Sequence, residues 1–101
     1  MYTQEELIEL IKPILEKHFV SKAAFFGSYA RNEQTMDSDL DMIVDFPFSA
    51  GLEFFSLLVD LEDRVNMHVD LEYYPDLLNQ SKRFYNSIKN DEVVFFEKNF
   101  N

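Results

Sequence analysis

Phe26-Gly27-Ser28-Tyr29-Ala30-Arg31 and, ten residues beyond Ser28, Ser38-Asp39-Leu40-Asp41 are the stretches on which the reading of this chain turns. Lys22 to Phe26 predicts a short strand that stops at Gly27, a residue free to turn sharply and to let a ligand approach the backbone closely. Ser28 adds a hydroxyl. A short helix is expected to follow, and the unpaired N–H groups at a helix start favour an anion such as phosphate. Asp39 to Asp45 predicts a second strand, ended by Phe46-Pro47. Side chains alternate across a strand, so Leu40, Met42 and Val44 share one face, while Asp39, Asp41, Ile43 and Asp45 share the other.

A third strand is expected from Met67 to Tyr73, with Met67, Val69 and Leu71 on one face and His68, Asp70 and Glu72 on the other. Both strands are apolar on one side and acidic on the other. The simplest sheet packs its helices on the apolar side and leaves the carboxylate side open. If the two strands are neighbours, Asp39, Asp41 and Asp70 converge there. Three carboxylates in one place repel unless a cation takes them up. Oxygen-only ligands suit a hard ion, and Mg²⁺ takes a few carboxylates and completes its shell with water and phosphate. An EF-hand fails on inspection. With Asp37, Asp39 and Asp41 at loop positions one, three and five, position six is Met42 where glycine is needed, and position twelve is Phe48 where glutamate is needed.

Outward from this centre the chain alternates helices and strands, which implies an α/β or α+β domain with one small mixed sheet. Thr3 and Glu6 form a capping box, with Tyr2 and Leu7 as a hydrophobic staple. Leu7, Ile8, Ile11, Ile14 and Leu15 recur at helical spacing to about His18. Pro13 inside that pattern predicts a kink or a break. Ser49 is the expected cap of a helix from about Leu52 to Arg64. Its eight apolar residues, from Leu52 to Val65, cover more than one face. One sheet face buries only one stripe, so a contact with a second subunit or a partner is an open expectation beside intramolecular packing. Pro75 and Asp76 open a helical or mixed segment to about Asn90, and Val93 to Glu97 predicts an edge strand. His68 and the Lys82-Arg83 pair read as surface residues, and Glu72 and Asp45 as peripheral to the site.

The chain has 101 residues, of which 47% are apolar. That is one expected domain, 1–101, with room for a modest core. There are no cysteines, so disulfides and thiolate metal sites are excluded. The apolar stretches are too short to span a bilayer, no signal peptide is expected, and the expected compartment is the cytoplasm. Net charge is −10. Such a surface argues against a free nucleic-acid or membrane partner. Between Arg31 and Arg64 no Lys or Arg occurs, while nine acids do.

Taken one at a time these motifs are ordinary: a strand-to-helix turn, a polar alternation. Together, Gly27-Ser28, Arg31, Ser38-Asp39-Leu40-Asp41 and a later strand bearing Asp70 resemble the nucleotidyltransferase superfamily of DNA polymerase beta. The short length is similar to its minimal branch. One departure is Asn32, where relatives often have glycine. The resemblance implies a polymerase-beta-like fold and Mg²⁺-dependent transfer of a nucleoside monophosphate, AMP from ATP, to an acceptor hydroxyl. It implies that Asp39, Asp41 and Asp70 hold metal, that Asp70 also helps deprotonate the acceptor, and that Gly27 and Ser28 hold the β,γ-phosphates. Arg31 would contact phosphate or the acceptor, or stand as an exposed helix arginine. The resemblance further implies a helical HEPN-type toxin as partner, with this chain as its adenylylating antitoxin. A non-catalytic module that neutralises a partner by contact, and a small-molecule nucleotidyltransferase of the antibiotic type, remain alternatives.

Overall fold

Local signals place the elements, and burial decides where they run. The computed structural model describes residues 1–100 in the order α1 (Gln4–Lys17), β1 (Lys22–Phe25), α2 (Gly27–Ala30), β2 (Leu40–Asp45), α3 (Leu52–Val65), β3 (Val69–Tyr73), a 3₁₀ segment (Tyr74–Asn79), α4 (Lys82–Asp91) and β4 (Val93–Glu97). The capping box forms: the Glu6 amide donates to Thr3 Oγ1 at 3.1 Å and the Thr3 amide to Glu6 Oε1 at 2.8 Å. Helix α1 then runs without a break through Pro13. The break does not occur because Pro13 lies on the solvent side, while Leu7, Ile11 and Leu15 are fully buried on the other. Burying three large side chains outweighs one lost backbone hydrogen bond. Nor does Ser49 cap α3. Gly51, at φ 46°, takes the cap position, and α3 ends on Asn66 in the left-handed conformation at φ 56°.

The sheet has the order β3-β2-β1-β4, so β4 is an edge as expected. β1 pairs antiparallel with both β2 and β4, and β2 pairs parallel with β3. A parallel neighbour needs a crossover, and α3 supplies it. Its Leu57, Leu61 and Val65 join Leu7, Ile11 and Leu15 of α1 and Leu40, Met42 and Val44 of β2 in the main core.

The fold class is the expected one, but the second face of the sheet is not bare. Ala24 and Ile43 point to that side, and with Phe26 they are buried against Leu77 of the 3₁₀ segment and Ile88 of α4. An isoleucine in the middle of an otherwise acidic strand face needs such cover. Asp41 and Asp70 stand at one end of that face, and Asp45 lies beyond Ile43 at the other end of β2. His18, at the end of α1, is the one buried polar side chain among the described residues. Its Nδ1 lies 2.7 Å from Glu53 Oε1 and its Nε2 2.6 Å from Asp60 Oδ2, both on α3. The imidazole and then Lys17 hold the Asp60 carboxyl below the usual range.

Candidate active site

Register builds the centre of the site. In the β2–β3 ladder Asp41 stands directly opposite Asp70, and Ile43 opposite Glu72. The third wall comes from the turn after β1. Gly27 has φ +66°, and a Cβ there would overlap Asp41 Oδ2 and lie 3.1 Å from Asp41 Cγ. The Phe26 amide donates to the Asp41 carbonyl at 3.0 Å, which holds the turn against β2. A glycine is therefore required twice over, for its backbone angle and for the space that the Asp41 carboxylate occupies. Ser28 follows at the start of the one-turn helix α2, half-buried. The first N–H groups of a helix have no partner within it, so this turn presents donors beside the Asp41–Asp70 pair.

Crowding leaves its mark on protonation. Burial, then Asp70, then Asp39 push the Asp41 carboxyl up to about 6, against the opposing pull of Arg31 and His68. Glu72, peripheral on the strand pattern alone, belongs with this cluster. Burial first, then a hydrogen bond to Asp70 and the charges of Asp70, Asp76 and Asp41, push it up to about 7. Its position two residues beyond Asp70 on the same strand face was the available signal.

The expected convergence is realised in part. Asp41 and Asp70 are fixed by strand register. Asp39 precedes the first residue of β2 and is exposed. The loop before it is closed by Ser38, whose Oγ accepts from the Thr35 amide at 2.9 Å, as a capping role predicts. Among the described residues no group of three or more His, Asp or Glu side chains closes into a metal cage. The donor set nonetheless fits Mg²⁺, which takes one or two carboxylates and fills its shell with water and substrate phosphates. The donors are all oxygen, and an Asp41 carboxyl pushed up by burial and then by its acidic neighbours is one that a cation would relieve.

Arg31 does not point free into the site. Its Nε donates to Glu33 Oε1 and its Nη1 to Asp91 Oδ2, both at 2.6 Å, so it ties α2 to the end of α4. These two carboxylates raise its pKa further. His68 is exposed and pairs with Glu62 at 3.2 Å, as a surface histidine would.

A pH dependence follows. Asp41 and Glu72 keep their protons in the folded chain up to about 6 and 7, whereas unfolded carboxyls release them near 4. Between those limits the native state binds more protons than the unfolded one, so stability falls as pH rises through the window. The metal-free protein is expected to melt at a higher temperature at pH 5 than at pH 8. The difference corresponds to about 1–2 kcal/mol once solvent screening of half-exposed groups is allowed for. Asp41→Asn should flatten the slope. Thermal melts across that range check it, and a melting temperature that rises from pH 5 to pH 8 contradicts it.

The family model for polymerase beta nucleotidyltransferases matches residues 9–101. MJ0435 of Methanocaldococcus jannaschii, provisionally named a protein adenylyltransferase, is 43% identical over 70 residues, covering 68% of this chain and 75% of that protein. Among solved structures, a toxin–antitoxin complex with AMP-PNP superposes with a TM-score of 0.70 at 19% identity, over 89% of this chain and 73% of that one. A tri-AMPylated HEPN toxin of Shewanella oneidensis in complex with an MNT antitoxin gives a TM-score of 0.67 at 17% identity, over 95% of this chain and 74% of that one.

Proposed function

The chain belongs to the polymerase beta nucleotidyltransferase family and is a nucleotidyltransferase, and from that premise we propose that it transfers AMP from ATP to a hydroxyl on a HEPN-type toxin and so acts as the toxin's antitoxin. The observation that carries the assignment is the meeting of three elements. The Gly27-Ser28 turn lies against Asp41, and Asp41 lies opposite Asp70. A protein as acceptor is supported by the relative named a protein adenylyltransferase and by the superposition on an AMPylated toxin's antitoxin. It is also supported by a net charge of −10, which disfavours a nucleic-acid acceptor. No helix among the described residues is long and apolar enough to cross a membrane. A cytoplasmic setting belongs to the same reading.

Each residue has a role in this scheme. Asp39, Asp41 and Asp70 would hold Mg²⁺, which when bound neutralises phosphate charge and lowers the barrier to nucleophilic attack. The N–H groups of the Gly27-Ser28 turn and the Ser28 hydroxyl bind the β- and γ-phosphates. Asp70 takes the proton of the acceptor hydroxyl. The acceptor oxygen then bonds to the α-phosphorus, the bond to the β-phosphate oxygen breaks, and pyrophosphate leaves. Little covalent help is needed, since phosphoryl transfer is governed by positioning and charge. Arg31, held by Glu33 and Asp91, fixes α2 and lends positive charge near Asp41.

The test is transfer of label from α-³²P-ATP to the purified HEPN-type protein. Asp70→Asn is expected to bind ATP within a few-fold of the native chain while transfer falls by about 1,000-fold, the pattern of a group needed in the reacting complex. Label appearing on RNA and not on the protein would redirect the acceptor. A variant that restrains the toxin fully without transferring label would mean inhibition by contact alone.

A further inference from the structure

Helix α3 buries one stripe and displays another. Leu57, Leu61 and Val65 face the core. Leu52, Phe55 and Val59 are 87%, 62% and 65% exposed. At 100° per residue these three fall within about 60° of one another, on the side opposite the buried stripe. Scattered single exposed apolar residues are normal, but three in register on one helix are not. At the N-terminal end of the stripe, Ala50, Gly51, Phe54, Phe55, Tyr73 and Asp76 line a cavity of about 280 Å³, large enough for an apolar side chain. The Phe54 ring meets Phe55 and Tyr73 edge-on and tilted, with centroids 5.6 and 5.9 Å apart.

The charges around this face select its occupant. Asp76 borders the cavity, Asp63 borders the stripe, and both are exposed. Neither takes part in a salt bridge among the described residues, whereas Glu53 and Asp60 are turned to His18 on the α1 side. A second copy of the chain is a poor fit. A two-fold contact would bring the same acids together on molecules that each carry −10. We propose that this face docks a different protein through an apolar ridge flanked by Lys or Arg side chains, with an apolar anchor in the Phe54–Phe55–Tyr73 cavity and cations on Asp63 and Asp76. The inference rests on the protein-acceptor reading above. Because α3 packs on the face opposite Asp41 and Asp70, docking there leaves the reaction centre open.

The experiment compares the native chain with the variant Leu52→Ser/Phe55→Ser/Val59→Ser in calorimetric titrations with the HEPN-type protein of the same organism. ATP binding and circular dichroism serve as checks on folding, and Phe55→Ser alone serves if the triple change fails them. The exposed substitutions are expected to leave ATP binding unchanged and to weaken the protein complex by about 30-fold or more, the scale of a lost hot spot. Asp63→Asn/Asp76→Asn should weaken it several-fold at low salt and little at high salt. Equal affinity for native and triple variant overturns the docking face and leaves the acceptor reading standing. No binding by the native chain overturns that reading, and this face with it. Sedimentation showing a native dimer that the triple variant dissolves would assign the face to a second copy and overturn the proposal.

Discussion

Asp41→Asn is expected to reduce AMP transfer by about 100- to 1,000-fold while making the metal-free protein more stable. Both effects have one cause. Asp41 stands opposite Asp70 in the sheet register, and its carboxyl is pushed up to about 6 by burial and by Asp70 and Asp39. A carboxylate kept in such company costs the folded chain energy. Replacing it with a neutral isostere removes the repulsion, so the melting temperature at pH 8 should rise by a few degrees, on the order of 1 kcal/mol. In the proposed scheme the same change also removes a negative ligand at the point where charge develops, and losses of about 100- to 1,000-fold follow from single groups of that kind. Labelled-ATP transfer and thermal melts on one preparation decide it. A variant that is less stable than the native chain at pH 8, or that retains transfer, contradicts the assignment of Asp41.

Gly27→Ala is expected to be nearly as damaging to activity, by about 100-fold, at a modest cost in stability. The left-handed backbone at φ +66° costs an alanine about 1–2 kcal/mol. The added Cβ would collide with Asp41 Oδ2, the far end of a short side chain, so the carboxylate can swing away and the fold survives. What is lost is the placement of that carboxylate relative to Asp70 and to the phosphate turn, and misplacement of this kind is costly in transfer reactions. Gly51→Ala is the matched control. Its φ is also positive, +46°, with ψ −122°, a backbone that also disfavours a side chain, but nothing lies within 4 Å of its Cβ, so it should pay a backbone cost and keep transfer. Full transfer by Gly27→Ala, or equal losses in both variants, would show that the Gly27–Asp41 contact is not what matters.

Much of this was legible before any coordinates. The two-residue alternation of Leu40, Met42 and Val44 against Asp39, Asp41 and Ile43 separates core from site, because a strand has only two faces. The capping box at Thr3 and Glu6 marks a helix start through purely local hydrogen bonds. The Gly-Ser turn and the Asp-x-Asp pair lie close in sequence, so their chemistry was readable from spacing. Pro13 does not break α1, because the cost of a missing N–H is local while the gain from burying Leu7, Ile11 and Leu15 is tertiary. Ser49 misled for a related reason: it is a good capping residue, but the chain turns into α3 at Gly51.

The sequence by itself determined most of the elements, the acidic face and the separate Gly27-Ser28 and Asp39-Leu40-Asp41 motifs, since each depends on residues within a few positions of one another. Tertiary structure alone decided which strands are neighbours. Only the β3-β2-β1-β4 order sets Asp70 opposite Asp41 and brings Glu72 into the cluster. It alone decided that Ile43 and Ala24 are covered by Leu77 and Ile88, and that Arg31 is spent on Glu33 and Asp91. It also decided which of the apolar residues of α3 stay in water. Most of those outcomes depend on distant partners, 29 positions apart for Asp41 and Asp70 and 64 for Ala24 and Ile88. No periodicity or spacing reports such pairs, because the free energy that joins them comes from packing and not from the local chain.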